Sequence, residues 1–253
     1  VLKSENLGEE WFSSSNGIIS TSINLIYSDP NEPGRIYGAS NSAEGFFKTE
    51  NYGYSWDRLN VVAELIADST ITERMPWGDE VLINPHNSNH IIYIAEVPWI
   101  FESFNRGETW ELSNTLRGNQ TSTLNFSSVY AIAQSKNKNS LYALNNGFGI
   151  YKGSKPGNDW DWNFLNLSEI DYSYTLAVDP DNDDIVYSGY SRKPFQTKAM
   201  IRKSSDGGST WTTALEIEGA EGITSVLIDP INSDNIFAAA AGETTGGVWM
   251  SRN

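Results

Sequence analysis

The sequence predicts an all-β chain of four-stranded antiparallel blades, a β-propeller with about five blade repeats. Three observations predict it. An eight-residue motif, Ser/Thr-x-Asp/Asn-x-Gly-x-Thr/Ser-Trp, recurs along the chain, and its tryptophans fall at Trp11, Trp56, Trp110, Trp160 and Trp211, with spacings of 45, 54, 50 and 51 residues. A second phrase, Asp/Asn-Pro followed by a short apolar run, recurs in the same phase. Each period also holds room for four short strands. Repeats of this length, made of short strands separated by turn signals, stack radially around a channel.

The clearest motif copy is Ser204-Ser205-Asp206-Gly207-Gly208-Ser209-Thr210-Trp211. Close copies run from Thr49 to Trp56, with Asn51 and Gly53, and from Ser103 to Trp110, with Asn105 and Gly107. A looser copy runs from Ser4 to Trp11 around Asn6, a worn one from Ser154 to Trp160 reads one residue short, and Ser251-Arg252-Asn253 begins another. The chemistry of the motif is that of a hairpin clip. The Asp or Asn side chain accepts hydrogen bonds from turn N–H groups, the glycine supplies a positive φ, and the tryptophan buries a large apolar body whose N–H needs a partner. These residues are architectural.

The elements follow in order within each period. Ile223–Ile228 is branched and apolar, as a buried strand should be. Asp229-Pro230 turns the chain, because proline fixes φ and cannot continue a ladder. Asn235–Ala240 returns as the second strand, Gly247–Ser251 is the third, and in other periods a fourth follows the motif tryptophan, as in Trp110-Glu111-Leu112. Asp29-Pro30, Asn84-Pro85 and Asp179-Pro180 mark the same turn elsewhere, while the third period keeps only its strand, Ser140-Leu141-Tyr142-Ala143. Val1–Asn6 aligns with Val248–Asn253, so the chain starts and stops at one phase. That favours a window from a propeller of seven or more blades; the alternative is a closed five-bladed ring.

Composition sets outer limits. The net charge of −15, from 17 basic and 32 acidic residues, argues against a nucleic-acid surface, which needs a basic stripe. There are no cysteines, which excludes disulfides and thiolate metal sites. His86 and His90 flank the Asn84-Pro85 turn, and their spacing suits a metal only on a helix, so a solvated loop is expected. No cofactor is expected; calcium is compatible with the acidity but lacks an EF-hand loop spacing. No membrane span or leader is visible. The wealth of Asn, Ser, Thr, Trp and Tyr points to an extracellular or cell-surface protein, with Asn119, Asn125 and Asn166 in glycosylation tripeptides.

Ligands of propellers usually meet the loops at one face of the channel, where the strands preceding the Asp-Pro turns begin. Two such starts carry chemistry. The longest insertion, residues 63–76, delivers Trp77, Asp79 and Glu80, and a later start carries Glu169, Asp171, Tyr172 and Tyr174. Carboxylates on different blades are an acid–base pair in waiting for a glycosidic bond. Asp79, Glu80 and Asp171 are therefore the catalytic candidates. Trp77, Trp99, Trp162, Tyr172, Tyr174 and Tyr190 are the candidates for stacking on sugar rings.

The motif copies and the Asp-Pro turns resemble the Asp-box, or BNR, repeat family, over nearly the whole chain. That family includes sialidases, xyloglucan-cleaving glycosidases, sortilin-type receptors and a photosystem assembly factor, and the resemblance implies a propeller without fixing an activity. Sortilin-type receptors carry a cysteine-rich module, absent here. Sialidases share an arginine cluster and an Arg-Ile-Pro phrase; here Arg35-Ile36-Tyr37 lies in a repeat strand and the arginines are scattered. The Arg-Thr-Asp-x-Gly-Gly phrase that carries a catalytic aspartate in xyloglucan-cleaving enzymes does not occur. The expectation is an extracellular propeller that binds glycan or protein through its loop face. The alternatives are a secreted polysaccharide-cleaving glycosidase and a structural component of a surface assembly.

Overall fold

The computed structural model describes residues 1–19, 23, 25–40, 46–59, 78–84, 87–95, 99–115, 129–134, 140–145, 149–155, 160–165, 173–190, 198–243 and 245–252. All regular structure among them is β. The chain divides into two compact units, Val1–Ser113 and Asn114–Asn253.

The first unit opens with a two-stranded sheet, β1 (Leu2–Lys3) and β2 (Phe12–Ser13). Two four-stranded antiparallel sheets follow: β3 (Leu25–Ser28), β4 (Ile36–Ala39), β5 (Phe46–Thr49) and β6 (Asp57–Leu59), then β7 (Gly78–Ile83), β8 (Ile91–Ala95), β9 (Trp99–Ser103) and β10 (Glu111–Thr115). The second unit holds two more: β11 (Val129–Gln134), β12 (Ser140–Asn145), β13 (Gly149–Ser154) and β14 (Asp161–Leu165), then β15 (Ser173–Val178), β16 (Val186–Tyr190), β17 (Lys198–Ser204) and β18 (Thr212–Glu218). It also holds a three-stranded sheet, β19 (Gly222–Ile228), β20 (Asn235–Ala241) and β21 (Gly247–Arg252). Each sheet is a meander in which sequence neighbours pair, the arrangement that one short turn per hairpin permits.

The octapeptide builds the hairpin between third and fourth strands. In the clearest copy, Ser204 Oγ accepts from the N–H groups of Asp206 and Gly208 at 3.3 and 2.8 Å. Asp206 accepts from the N–H and the hydroxyl of Thr210 at 2.8 and 2.6 Å. Trp211 Nε1 donates to Gly208 O at 3.0 Å. The copies at Asn6, Asn51 and Asn105 repeat the side-chain cross-links. Two successive residues of the turn are left-handed. The glycine is one, at φ 84–91° for Gly8, Gly53, Gly107 and Gly208; the residue before it is the other, and it is Leu7, Tyr52 or Arg106 in three copies.

One backbone bond ties this clip to the Asx-Pro turn of its own sheet. The residue before the motif glycine donates its N–H to that turn: Tyr52 to Gly34 O at 2.9 Å, Arg106 to Asn89 O at 3.0 Å and Gly207 to Asp184 O at 2.9 Å. The two recurring phrases share a phase because they are two ends of one contact. Within the turns, Asp29, Asp179 and Asp229 each accept from the N–H groups two and three residues on.

Strand register around the worn motif, Ser154 to Trp160, departs from that of the intact copies. Thr49 pairs with Ile36, Ser204 with Val186 and, at the same point, Gly153 with Leu141. On the other side the register differs: Asp161, the residue after Trp160, pairs with Ser154, whereas Asp57 pairs with Lys48 and Thr212 with Lys203, so this hairpin is two residues tighter than the intact copies. A Cβ on Gly153 would come within 2.8 Å of the Trp162 ring, which leaves no room for the usual Ser or Thr. Trp160 packs on Trp162 at 5.8 Å between ring centroids.

Adjacent sheets bury their faces against each other. In the first unit Tyr37, Phe46 and Leu59 meet Ile91, Tyr93 and Trp110. In the second, Tyr142, Ile150 and Leu165 meet Leu176, Val186 and Tyr190, and Ile201, Ile217 and Tyr187 meet Ile223, Ile236 and Ala238. The motif glycine is part of this packing: a Cβ on Gly107 would lie 2.8 Å from Leu59 Cδ1, and one on Gly208 2.3 Å from Leu165 Cδ1.

Candidate ligand-binding site

Four first strands, β7, β11, β15 and β19, share a defect placed at one point, while β3 pairs with β4 in unbroken register. Their pairing with the second strand skips a residue between Gly78 and Glu80, Val129 and Ala131, Ser173 and Thr175, and Ile223 and Ser225. The extra residues are Asp79, Tyr130, Tyr174 and Thr224. A β-bulge leaves one residue out of the ladder and re-aims it, and bulges concentrate where a sheet meets a site. Two of the four, Asp79 and Tyr174, are residues the sequence reading singled out. In the second unit, packing holds two bulges beside one another: Val226 N–H donates to Thr175 Oγ1 at 3.1 Å, and Ile223 fills the space above Gly189 so closely that a Cβ there would lie 2.5 Å from its Cγ2.

The other sequence candidates fall as follows. Glu80 follows the first bulge in β7, and Trp99 opens β9. Trp77, Asp171 and Tyr172 lie outside the described residues, as does His86. Trp162 and Tyr190 are core side chains, 8% and 1% exposed, and offer no face to a sugar. Trp162 covers Gly153, and Tyr190 lies under the Arg202 guanidinium, 5.3 Å from its ring centre. His90 is not a solvated loop residue either. It stacks on Phe104 at 4.8 Å, and its Nε2 lies 2.7 Å from Oε2 of the fully buried Glu102.

Solvent-facing aromatics occur instead at variable motif positions of the first unit. Tyr52, Tyr54 and Phe104 are more than half exposed. Tyr54 and Phe12 surround the Lys3 ammonium, which is 3.6 Å from the Tyr54 ring centre and 2.8 Å from Glu5 Oε1. The sequence held the signal for these: residues that neither clip the turn nor bury a ring are left to face water.

Electrostatics in the described residues is architectural. Glu5, Asp29, Glu50, Asp206 and Asp229 all move down, away from the range a general acid needs. Hydrogen bonds from Thr210 and Ser204 bring Asp206 to about 2. The Ile231 N–H, Asn235 and the Asn232 N–H lower Asp229. For Asp29, burial pushes upward but is outweighed by Ser88, the Asn31 N–H and Arg35. Burial raises Tyr37 and Tyr142, and pushes Tyr151 up to about 12. Among the described residues, no group of three or more His, Asp and Glu is placed to hold a metal ion, and no helix is long and apolar enough to cross a membrane.

No protein-family model matches the chain, and no curated protein matches it in sequence. Solved structures do. A GH74 xyloglucanase from Xanthomonas campestris is similar over 91% of this chain and 36% of its own, at 14% identity and a TM-score of 0.65. YCF48 from Cyanidioschyzon merolae is similar over 100% of this chain and 76% of its own, at 16% identity and a TM-score of 0.70. A YCF48 bound to D1 peptide is similar over 97% and 70%, at 11% identity and a TM-score of 0.61. The chain thus spans little more than a third of the xyloglucanase it matches. With its four-stranded antiparallel sheets, this likeness makes the fold a partial β-propeller.

Proposed function

We propose that this chain is a stretch of an extracellular or cell-surface propeller of the Asp-box type, which binds a glycan or protein ligand through the starts of its first strands. The repeated bulge carries this reading. It sets Asp79, Tyr130, Tyr174 and Thr224 out of register at one point of four sheets. Such a position costs ladder pairing and is worth keeping where a side chain must be re-aimed. Peptide recognition by a YCF48 propeller supports a protein ligand as much as a glycan. The test is binding to a panel of plant and bacterial polysaccharides and to a library of extended peptides. Tyr174→Ala and Asp79→Ala should weaken capture at least about tenfold, the loss of one good contact, with an unchanged melting temperature. Binding indifferent to both substitutions would sink the reading.

A second reading has its own support. The likeness to a GH74 xyloglucanase, together with the acidic residue at the β7 bulge, favours polysaccharide cleavage with Asp79 and Asp171 as the carboxylates. Release of reducing ends from xyloglucan, abolished in Asp79→Asn and in Asp171→Asn, is its expected outcome. Intact polymer after prolonged incubation with the protein counts against it.

A further inference from the structure

One of the four bulges is closed by buried hydroxyls. In the pairing of β15 with β16, Ser173 lies before the slip, Tyr174 is the extra residue and Thr175 lies after it. Ser173 Oγ donates at 3.0 Å to Gly189 O, the carbonyl of the residue opposite Thr175. Its one proton is committed there, so Ser188 donates to Ser173 Oγ, with Thr175 O as a weaker acceptor at 3.4 Å. Thr175 Oγ1 accepts from the Val226 N–H of the neighbouring sheet at 3.1 Å. Ser173, Ser188 and Thr175 are 2%, 0% and 9% exposed.

A bulge does not need these groups. In the places of Ser173 and Thr175 the other slips have Gly78 and Glu80, Val129 and Ala131, and Ile223 and Ser225. In the place of Ser188 stand Tyr93, Ala143 and Ala238. Burying a hydroxyl costs free energy unless it is bonded, and alanine meets the packing need, so the three mark a demand on the backbone that carries Tyr174. The β19 slip treats its carbonyl differently. There the extra residue itself, Thr224, donates at 3.3 Å to Ala239 O, the counterpart of Gly189 O. Thr224 thus closes its own bulge. At β15 that task falls to Ser173, and the extra residue is relieved of it.

Resting on the reading that bulged residues meet the ligand, we infer that Ser173 is a positioning residue, whose hydroxyl fixes the slip at Tyr174 for capture, and that Thr224 takes no part in capture. Binding to the immobilised polysaccharide and peptide panel, measured together with amide hydrogen exchange, tests this. Ser173→Ala should weaken capture about fivefold, the worth of one ordinary hydrogen bond. It should also speed exchange in β15 and β16 around the slip while β18 stays as in wild type. In a Tyr174→Ala background the same substitution should cost nothing further, because Ser173 acts through Tyr174. Thr224→Val should leave capture unchanged. Ser173→Cys, which keeps the volume and offers only a weak donor, stands in should Ser173→Ala not fold. Wild-type capture by the Ser173 variant, or a loss that adds in full to that of Tyr174→Ala, overturns the inference and leaves the binding reading intact. So does unaltered exchange around the slip, or a loss of capture in Thr224→Val. Capture indifferent to Tyr174→Ala, or none by the wild-type chain, overturns the binding reading and the inference with it.

Discussion

A single residue of the motif turn shows how backbone conformation and packing separate. Leu7 and Gly208 are both left-handed, at φ 59° and 89°. Leu7 is fully exposed, so its side chain stabilises nothing there, and a left-handed L-residue costs about 1–2 kcal/mol. Leu7→Gly should raise stability by about 1 kcal/mol or less, because glycine returns part of the gain to the unfolded chain. Gly208→Ala meets both penalties. The left-handed backbone is joined by a Cβ lying 2.3 Å from Leu165 Cδ1 on the neighbouring sheet. Its cost should be about 2–5 kcal/mol, the sum of the strain and an overpacked contact. Urea unfolding midpoints of the two variants check both signs at once. The sequence announced the first role of the glycine through its turn chemistry. The second belongs to a residue some forty positions earlier, and no local pattern carries it.

At the scale of the element, the repeat was legible because each hairpin is closed by its own side chains. Ser204, Asp206, Gly208 and Trp211 act on one another within eight residues, so sequence order and spatial order coincide. The bulges were not legible. Asp79 and Tyr174 were reached through composition and phase, while the register slip that sets them apart exists only once the second strand is paired. Trp162 and Tyr190 misled for the same reason: an aromatic near a strand end reads alike whether it faces water or a neighbouring sheet. The worn hairpin turns this into a prediction. Gly153 stands opposite Leu141 as Ser204 stands opposite Val186, so by second-strand register alone Gly153→Ser would supply a turn hydroxyl and should stabilise. By packing it should destabilise, since the new Cβ lies 2.8 Å from the Trp162 ring. We expect a loss of about 1–3 kcal/mol, the usual cost of overpacking. The double variant Gly153→Ser with Trp162→Leu should recover part of it. A stabilised single variant would show that Trp162 yields more readily than the close-packed sheet implies.

For the molecule as a whole, the recurrence of acidic turns sets the response to pH. At neutral pH the net charge of −15 disfavours the compact state through self-repulsion. Acidification first protonates ordinary exposed carboxylates, relieves that repulsion and raises stability. The turn carboxylates work in the opposite direction. Asp206, Asp229 and Asp29 are lowered in the folded chain by bonds that the unfolded chain lacks. A lowered carboxyl contributes stability above its unfolded value, near 3.8, and that contribution is lost as pH falls through the folded value, about 2 for Asp206. Stability should therefore pass through a maximum on the acid side of neutrality and then drop steeply below the ordinary carboxylate range. Asp206→Asn keeps an acceptor for the Thr210 N–H, as Asn51 and Asn105 do for Ser55 and Thr109, but it has no proton to gain. Its unfolding midpoint should sit slightly below wild type at neutral pH and approach it as pH falls toward about 2. Melting curves taken across that window decide the matter: parallel profiles for the two proteins would mean that the clip holds its hairpin by geometry alone, without help from the charge.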